Sequence, residues 1–177
     1  TLDWTDRATC VLFGDGAGAA VIEAGGENPL AVELSTAPDV ETLLVPGLVG
    51  TSPFKASADR ESVLSMNGRR VFKFGVNAIC DTVNKLASDA SIAVEDIDHF
   101  VFHQANERIL SQAVKRLGVP DDRVVRTLRE TGNISSACIP LALDRLVNSG
   151  TLHPGDTIAL VGFGAGLDIG GYLLRWK

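Results

Sequence analysis

An α/β layered fold is expected from three features of this 177-residue sequence. Short apolar runs near both ends read as buried strands. Between them lie three stretches with apolar residues at helical spacing, and strands alternating with helices stack into layers around one core. With 45% hydrophobic and 21% charged residues, the chain can bury a core in one or two compact domains.

Along the chain, Ala8–Phe13 ("ATCVLF") reads as a buried strand, followed by the glycine turn "GDGAGA" and a second apolar run, "AVIEA". Gly47–Asp59 is the most loop-like segment. Asn67–Ser88 places Val71, Phe74, Ile79, Val83 and Leu86 at roughly helical intervals. The apolar run "HFVF" ends at His103, where a helix over Gln104–Leu117 begins, with Ile109, Leu110, Ala113, Val114 and Leu117 inward. A third helix starts near Ser135, is bent in its first turns by Pro140, and stops at Gly150. Thr157–Phe163 ("TIALVGF"), "GAGLDIGG" and "YLLRW" form a second strand–turn–strand unit, and its echo of the first suggests internal duplication. The opening "TLDWTDRATC" runs almost directly into a strand and reads as the interior of a longer protein.

Sixteen basic residues against 22 acidic give a net charge of −6, which argues against a general nucleic-acid surface. No stretch of eighteen apolar residues and no charged-then-apolar leader occurs, so a soluble protein without a membrane partner is expected. Cys10, Cys80 and Cys138 lie far apart without metal-ligand spacing, which fits a reducing cytoplasm and no metal site.

Four places carry chemistry-bearing residues. "FGDGAGAA" matches a dinucleotide pattern at Gly14, Gly16 and Ala19, but a short strand follows it and not a phosphate-holding helix, so a structural turn is favoured. His103 sits at a strand-to-helix junction, where a polar residue merely closing the strand is the plain alternative. Asn133 lies in "ETGNISSAC", with Gly132 freeing a tight turn and Ser135 or Ser136 able to cap the next helix. "GFGAG" (Gly162–Gly166) is a reversal whose backbone N–H groups can face a ligand. An imidazole, a carboxamide and a backbone N–H, with no carboxylate among them, suit the stabilisation of negative charge on a carbonyl oxygen. Helix N-termini after His103 and Asn133 would add positive potential and lower the histidine pKa, favouring a neutral, donating imidazole.

"HQAN" (His103–Asn106), "GN-x-SSA" (Gly132–Ala137) followed by Pro140, "FG-x-G" (Phe163–Gly166) and "FGDGAGA" (Phe13–Ala19) together resemble the β-ketoacyl-acyl-carrier-protein synthase III family. The likeness runs from about Asp6 to the end of the chain. It implies a thiolase-like αβαβα sandwich with a mixed five-stranded sheet and helices on both faces. Residues 1–60 would close the first half and connect the halves, and residues 61–177 would form the second half. It also implies an acyltransferase that condenses an acyl-CoA primer with malonyl-carrier protein by decarboxylation, initiating fatty-acid synthesis, with no cofactor beyond CoA and pantetheine thioesters as substrates.

Carried over residue by residue, His103 and Asn133 match the family's histidine and asparagine, and the Ala165 N–H would serve an acyl-cysteine oxyanion. Alanine at 165, where the family often has glycine, would narrow that pocket. Gly68, Phe72, Ala105, Asn106 and Phe163 match positions lining the substrate passage. Lys73, Arg108, Lys115 and Arg116 match a basic patch for the acyl carrier protein; Arg108 and Lys115 also share one helix face by spacing alone. The family's nucleophilic cysteine has no match here. Cys10 and Cys80 read as core, and Cys138, near a helix start that could lower its pKa, falls where the family has small apolar residues. The chain alone is therefore expected to be inactive, and to need a missing N-terminal half and a homodimer. The alternatives are a starter-unit ketosynthase or type III polyketide synthase of secondary metabolism, or a non-catalytic dimer or carrier-protein-binding subunit.

Overall fold

The computed structural model describes residues 2–22, 24–45 and 63–177. A short helix α1 (Arg7–Cys10) is followed by strand β1 (Ala31–Thr36), the two-residue pair β2 (Leu43–Leu44) and β3 (Ser65–Met66), and the long helix α2 (Gly68–Asp89). Then come β4 (His99–Phe102), α3 (Glu107–Leu117), a short α4 (Leu128–Thr131), α5 (Cys138–Asn148), β5 (Thr157–Gly164) and β6 (Asp168–Arg175). The main sheet has the order β1-β6-β5-β4. β4 and β5 are parallel, joined through α3 to α5, while β5–β6 and β6–β1 are antiparallel.

Side-chain alternation on β4 decides the layering. Phe100 and Phe102 face a core shared with α2 and α3, whereas Val101 faces Ala142 and Leu146 of α5. Both faces of the strand are thus dry, and each fully buried phenylalanine contributes about 1.5–3 kcal/mol of transfer free energy. The result is a mixed sheet with helices on both faces, the α/β layered class expected. No helix of the described residues is long and apolar enough to cross a membrane, and none of their His, Cys, Asp and Glu side chains form a group of three that could hold a metal.

Helix boundaries follow the caps. Asn67 starts α2 by accepting from the Arg70 N–H at 3.2 Å, close to the expected start. The second helix begins at Glu107 and not at Gln104, because Asn106 caps it by accepting from the Arg108 N–H at 2.9 Å. Neither Ser135 nor Ser136 caps α5. They form a 3₁₀ turn with Ala137, and the cap residue, Ala137, makes no side-chain bond. Pro140 is the third residue of α5, where a missing N–H costs no intrahelical bond.

The amino-terminal expectations need correction. Arg7–Cys10 is a helical turn capped by the Asp6 carboxylate, not a strand, and "AVIEA" forms no strand among its described residues. Apolar sequence makes a strand only where a ladder partner exists; among the described residues of this segment only Phe13 pairs, in a single bridge to Asn133. The described main sheet accordingly has four strands, not five. The first glycine run is no hairpin either. A Cβ on Gly14 would lie 2.0 Å from the Thr131 carbonyl oxygen, so glycine serves close approach there. The loop expected at Gly47–Asp59 lies outside the described residues.

Candidate functional site

His103 stands one residue beyond β4, its N–H donating to the Val161 carbonyl at 2.8 Å. The next residue, Gln104, is fully buried and spends its whole side chain on backbone. Its Nε2 donates to the Phe102 and Val125 carbonyls at 2.9 and 3.1 Å, and its Oε1 accepts from the Thr127 N–H at 3.0 Å. That clamp fixes the strand-to-helix turn and with it the imidazole. The ring meets Phe163 edge-on, centroids 5.1 Å apart, and Phe163 meets Phe74 at 5.7 Å. Gly75 of α2 leaves space for this stack, since a Cβ there would lie 2.7 Å from Phe163 Cζ. Burial in this aromatic surround pulls the His103 pKa down to about 4, so the imidazole is neutral near pH 7. The cause is desolvation by burial.

Asn133 is held from both sides. Its N–H donates to the Leu12 carbonyl at 2.9 Å, and its carbonyl accepts from the Gly14 N–H at 3.0 Å. Its Oδ1 accepts from the Ser135 N–H at 3.0 Å, which orients the carboxamide and leaves Nδ2 as the outward donor. Ser135 has φ +54°, and Gly132 has φ +66°; the turn is therefore held in a left-handed shape that only glycine takes without strain. Ala165 follows β5 directly.

His103, Asn133 and Ala165 line a single cavity of about 390 Å³, with Phe163 on its wall. A neighbouring cavity of about 730 Å³ shares Asn133 and Ala105 with it and is also lined by Gly68, Phe72 and Asn106. The five residues expected along a substrate passage thus divide between two adjoining cavities. Of the expected basic patch, Arg108 and Lys115 line the larger cavity, and Arg69, not anticipated from the sequence, joins them. Lys73 borders a separate small cavity with Asp39 and Arg70. Arg116 is turned toward α2, donating to Asn77 Oδ1 at 2.7 Å and lying 3.5 Å from Asp81.

One contact was not foreseen. Cys138, the first residue of α5, is fully buried, and its Sγ lies 2.9 Å from His103 Nδ1. The Gln104 N–H donates to the same sulfur at 3.4 Å. Burial raises the Cys138 pKa and outweighs nearby backbone amides that pull it the other way. A helix start alone does not make a thiolate here. Cys80 is also core, its Sγ 3.7 Å from the Ala113 carbonyl, and burial raises its pKa too. Cys10 is buried at the end of α1. A neutral imidazole, a carboxamide N–H₂ and a loop N–H around one cavity can together receive charge developing on oxygen.

The sequence profile described as 3-oxoacyl-[acyl-carrier-protein (ACP)] synthase III C terminal matches residues 87–176, and that of 3-oxoacyl-[acyl-carrier-protein (ACP)] synthase III matches residues 1–38. The β-ketoacyl-[acyl-carrier-protein] synthase III of Clostridium acetobutylicum is 44% identical over 99% of this chain and 55% of its own length. Among solved structures, the β-ketoacyl-[acyl carrier protein] synthase III of Thermus thermophilus superposes with a TM-score of 0.83 at 37% identity, over 99% of this chain and 55% of that one. The priming β-ketosynthase of the R1128 polyketide biosynthetic pathway gives 0.78 at 32% identity, over 100% and 54%. The chain spans about half the length of the relatives it matches.

Proposed function

This chain belongs to the 3-oxoacyl-[acyl-carrier-protein] synthase III family, and from that premise we propose that it supplies the donor half of a condensing site. In this reading the protein joins an acyl primer from acyl-CoA to malonyl-carrier protein, and the observation that carries it is the convergence of His103, Asn133 and Ala165 on one cavity.

The chemistry follows from the donors. When the malonyl thioester loses CO₂, the electron pair of the breaking C–C bond moves onto the thioester carbonyl as an enolate. His103 Nε2–H and Asn133 Nδ2–H donate to that oxygen, and a largely apolar cavity wall makes those bonds count for more than they would in water. A neutral imidazole suits this task, because an imidazolium would surrender its proton to the enolate. The carbanion then attacks an acyl-cysteine carbonyl, whose oxyanion the Ala165 N–H receives, and the cysteine leaves as thiolate. Cys138 does not fit the nucleophile's part, being buried, protonated and already in contact with His103. The nucleophile is assigned to a segment this chain does not contain, and the chain alone to an inactive half that works with that segment in a homodimer. Gly68, Phe72, Ala105 and Asn106 line the pantetheine approach, and Arg108 and Lys115 at its edge suit an acidic carrier protein.

In the intact protein, His103→Ala and Asn133→Ala are each expected to slow malonyl decarboxylation by about 10²–10³-fold. Decarboxylation that survives both changes would sink the donor-site account. The likeness to a priming ketosynthase favours a second reading, a starter-unit enzyme of polyketide synthesis. Assays with a panel of acyl-CoA primers separate the two, and reaction with free malonyl-CoA but not malonyl-carrier protein would remove both in favour of a carrier-independent synthase.

A further inference from the structure

The contact between His103 and Cys138 leaves a proton to be placed. Both groups are neutral near pH 7, so one proton sits on the imidazole and one on the thiol, with Nδ1 and Sγ 2.9 Å apart. Two arrangements are open. Either Nδ1–H donates to sulfur, or S–H donates to Nδ1 and the ring carries its proton on Nε2.

The surroundings separate them. Sγ already accepts from the Gln104 N–H at 3.4 Å. A sulfur that already accepts from an amide still has its own proton to place. Among the described residues, its hydrogen-bond partners are the Gln104 N–H and Nδ1, and only Nδ1 can accept. If Nδ1 were the donor, the S–H would be left without an acceptor in a fully buried site.

We propose that Cys138 is a positioning residue: its S–H donates to His103 Nδ1 and holds the imidazole in the tautomer with the proton on Nε2. The edge-on Phe163 ring and the Gln104 clamp fix the ring's plane, and Cys138 fixes which nitrogen is the donor. The consequence for catalysis rests on the proposed function, because only there does Nε2–H meet a thioester oxygen.

The test reads the tautomer and the reaction separately. With ¹⁵N-labelled histidine, long-range ¹H–¹⁵N correlation on the intact wild-type protein at neutral pH is expected to show Nδ1 unprotonated and Nε2 protonated. Cys138→Ala is expected to give a mixture of tautomers and to lower kcat for malonyl decarboxylation by about 10–100-fold with KM little changed, while Cys138→Ser restores both. Wild-type protein carrying its proton on Nδ1 overturns the assignment. So does a Cys138→Ala variant that loses stability but keeps the wild-type tautomer, which would make Cys138 a packing residue only. A tautomer that shifts as expected while decarboxylation holds supports the assignment of Cys138 and counts against the proposed function instead.

Discussion

The junction that carries His103 and the turn that carries Asn133 reach one cavity by opposite means. His103 is fixed from inside the main body: strand β4, the buried Gln104 clamp and the Phe163 ring all belong to the sheet and its α2–α3 layer. Asn133 is fixed from outside it, by Leu12 and Gly14 of an amino-terminal segment that adds no strand to the sheet. That segment is otherwise poorly covered, with Val21 and Ile22 91% and 94% exposed. The contrast teaches that one site can combine a donor whose place is set by core packing with a donor whose place is set by two hydrogen bonds to a lightly held strand-like stretch. The first should resist local damage until the core fails. The second should move while the core stays intact.

The largest expected effect comes from removing the clamp on the His103 side. Gln104→Leu strips partners from the Phe102 and Val125 carbonyls and the Thr127 N–H, and at 1–3 kcal/mol for each orphaned buried group the loss is about 4 kcal/mol. Urea unfolding should record it as a lower midpoint, and a midpoint unchanged would mean that the junction is held by something other than Gln104.

A smaller effect follows from pH. The His103 pKa is depressed to about 4 from 6.5, so the unfolded chain binds the proton more readily than the folded one. The stability that comes with the neutral ring is full above pH 6.5 and is lost as pH falls from there toward 4. About 2.5 pH units at about 1.4 kcal/mol each make this about 3.5 kcal/mol at most. Unfolding midpoints of the parent and of His103→Gln, compared between pH 7 and pH 4, should converge by up to that amount at the acid end. Parallel curves would show that the imidazole is not buried as described.

The smallest of the three tests the other region. Gly14→Ala pushes a Cβ against the Thr131 carbonyl and displaces the partner of the Asn133 carbonyl, at about 2 kcal/mol. The Asn133 side-chain NMR signals should shift while those of the His103 ring stay in place. Coupled movement of both would dissolve the distinction between the two regions.

Legibility in the sequence divides along the same line. Helices α2, α3 and α5 and strands β4 to β6 announce themselves because each buries a periodic apolar face against the sheet. Residues 8–24 show the same apolar character, yet what they become depends on a ladder partner, and composition does not report partners. β1 is silent in the sequence for the converse reason: "AVELST" is only half apolar and owes its strand to pairing with β6. Within the site, His103, Asn133 and the turn at Ala165 were visible as polar or glycine-rich breaks at element ends. The place of Cys138 was not, since its contact with His103 spans 35 positions and exists only once α5 has docked on β4. Gln104 stood beside His103 as another polar residue, and nothing local distinguishes a clamp from a ligand.

The pairing of β1 with β6 also sets a timetable. Ala31 aligns with Leu173, so β1 must wait for a strand made far later in the chain before its hydrogen bonds close. At about 5–20 residues per second of synthesis, that wait is on the order of ten seconds. His103 and Asn133 emerge well before Ala165, which sits in the turn between β5 and β6. The cavity is therefore finished by the same event that closes the sheet, because the turn that carries Ala165 is made between β5 and β6.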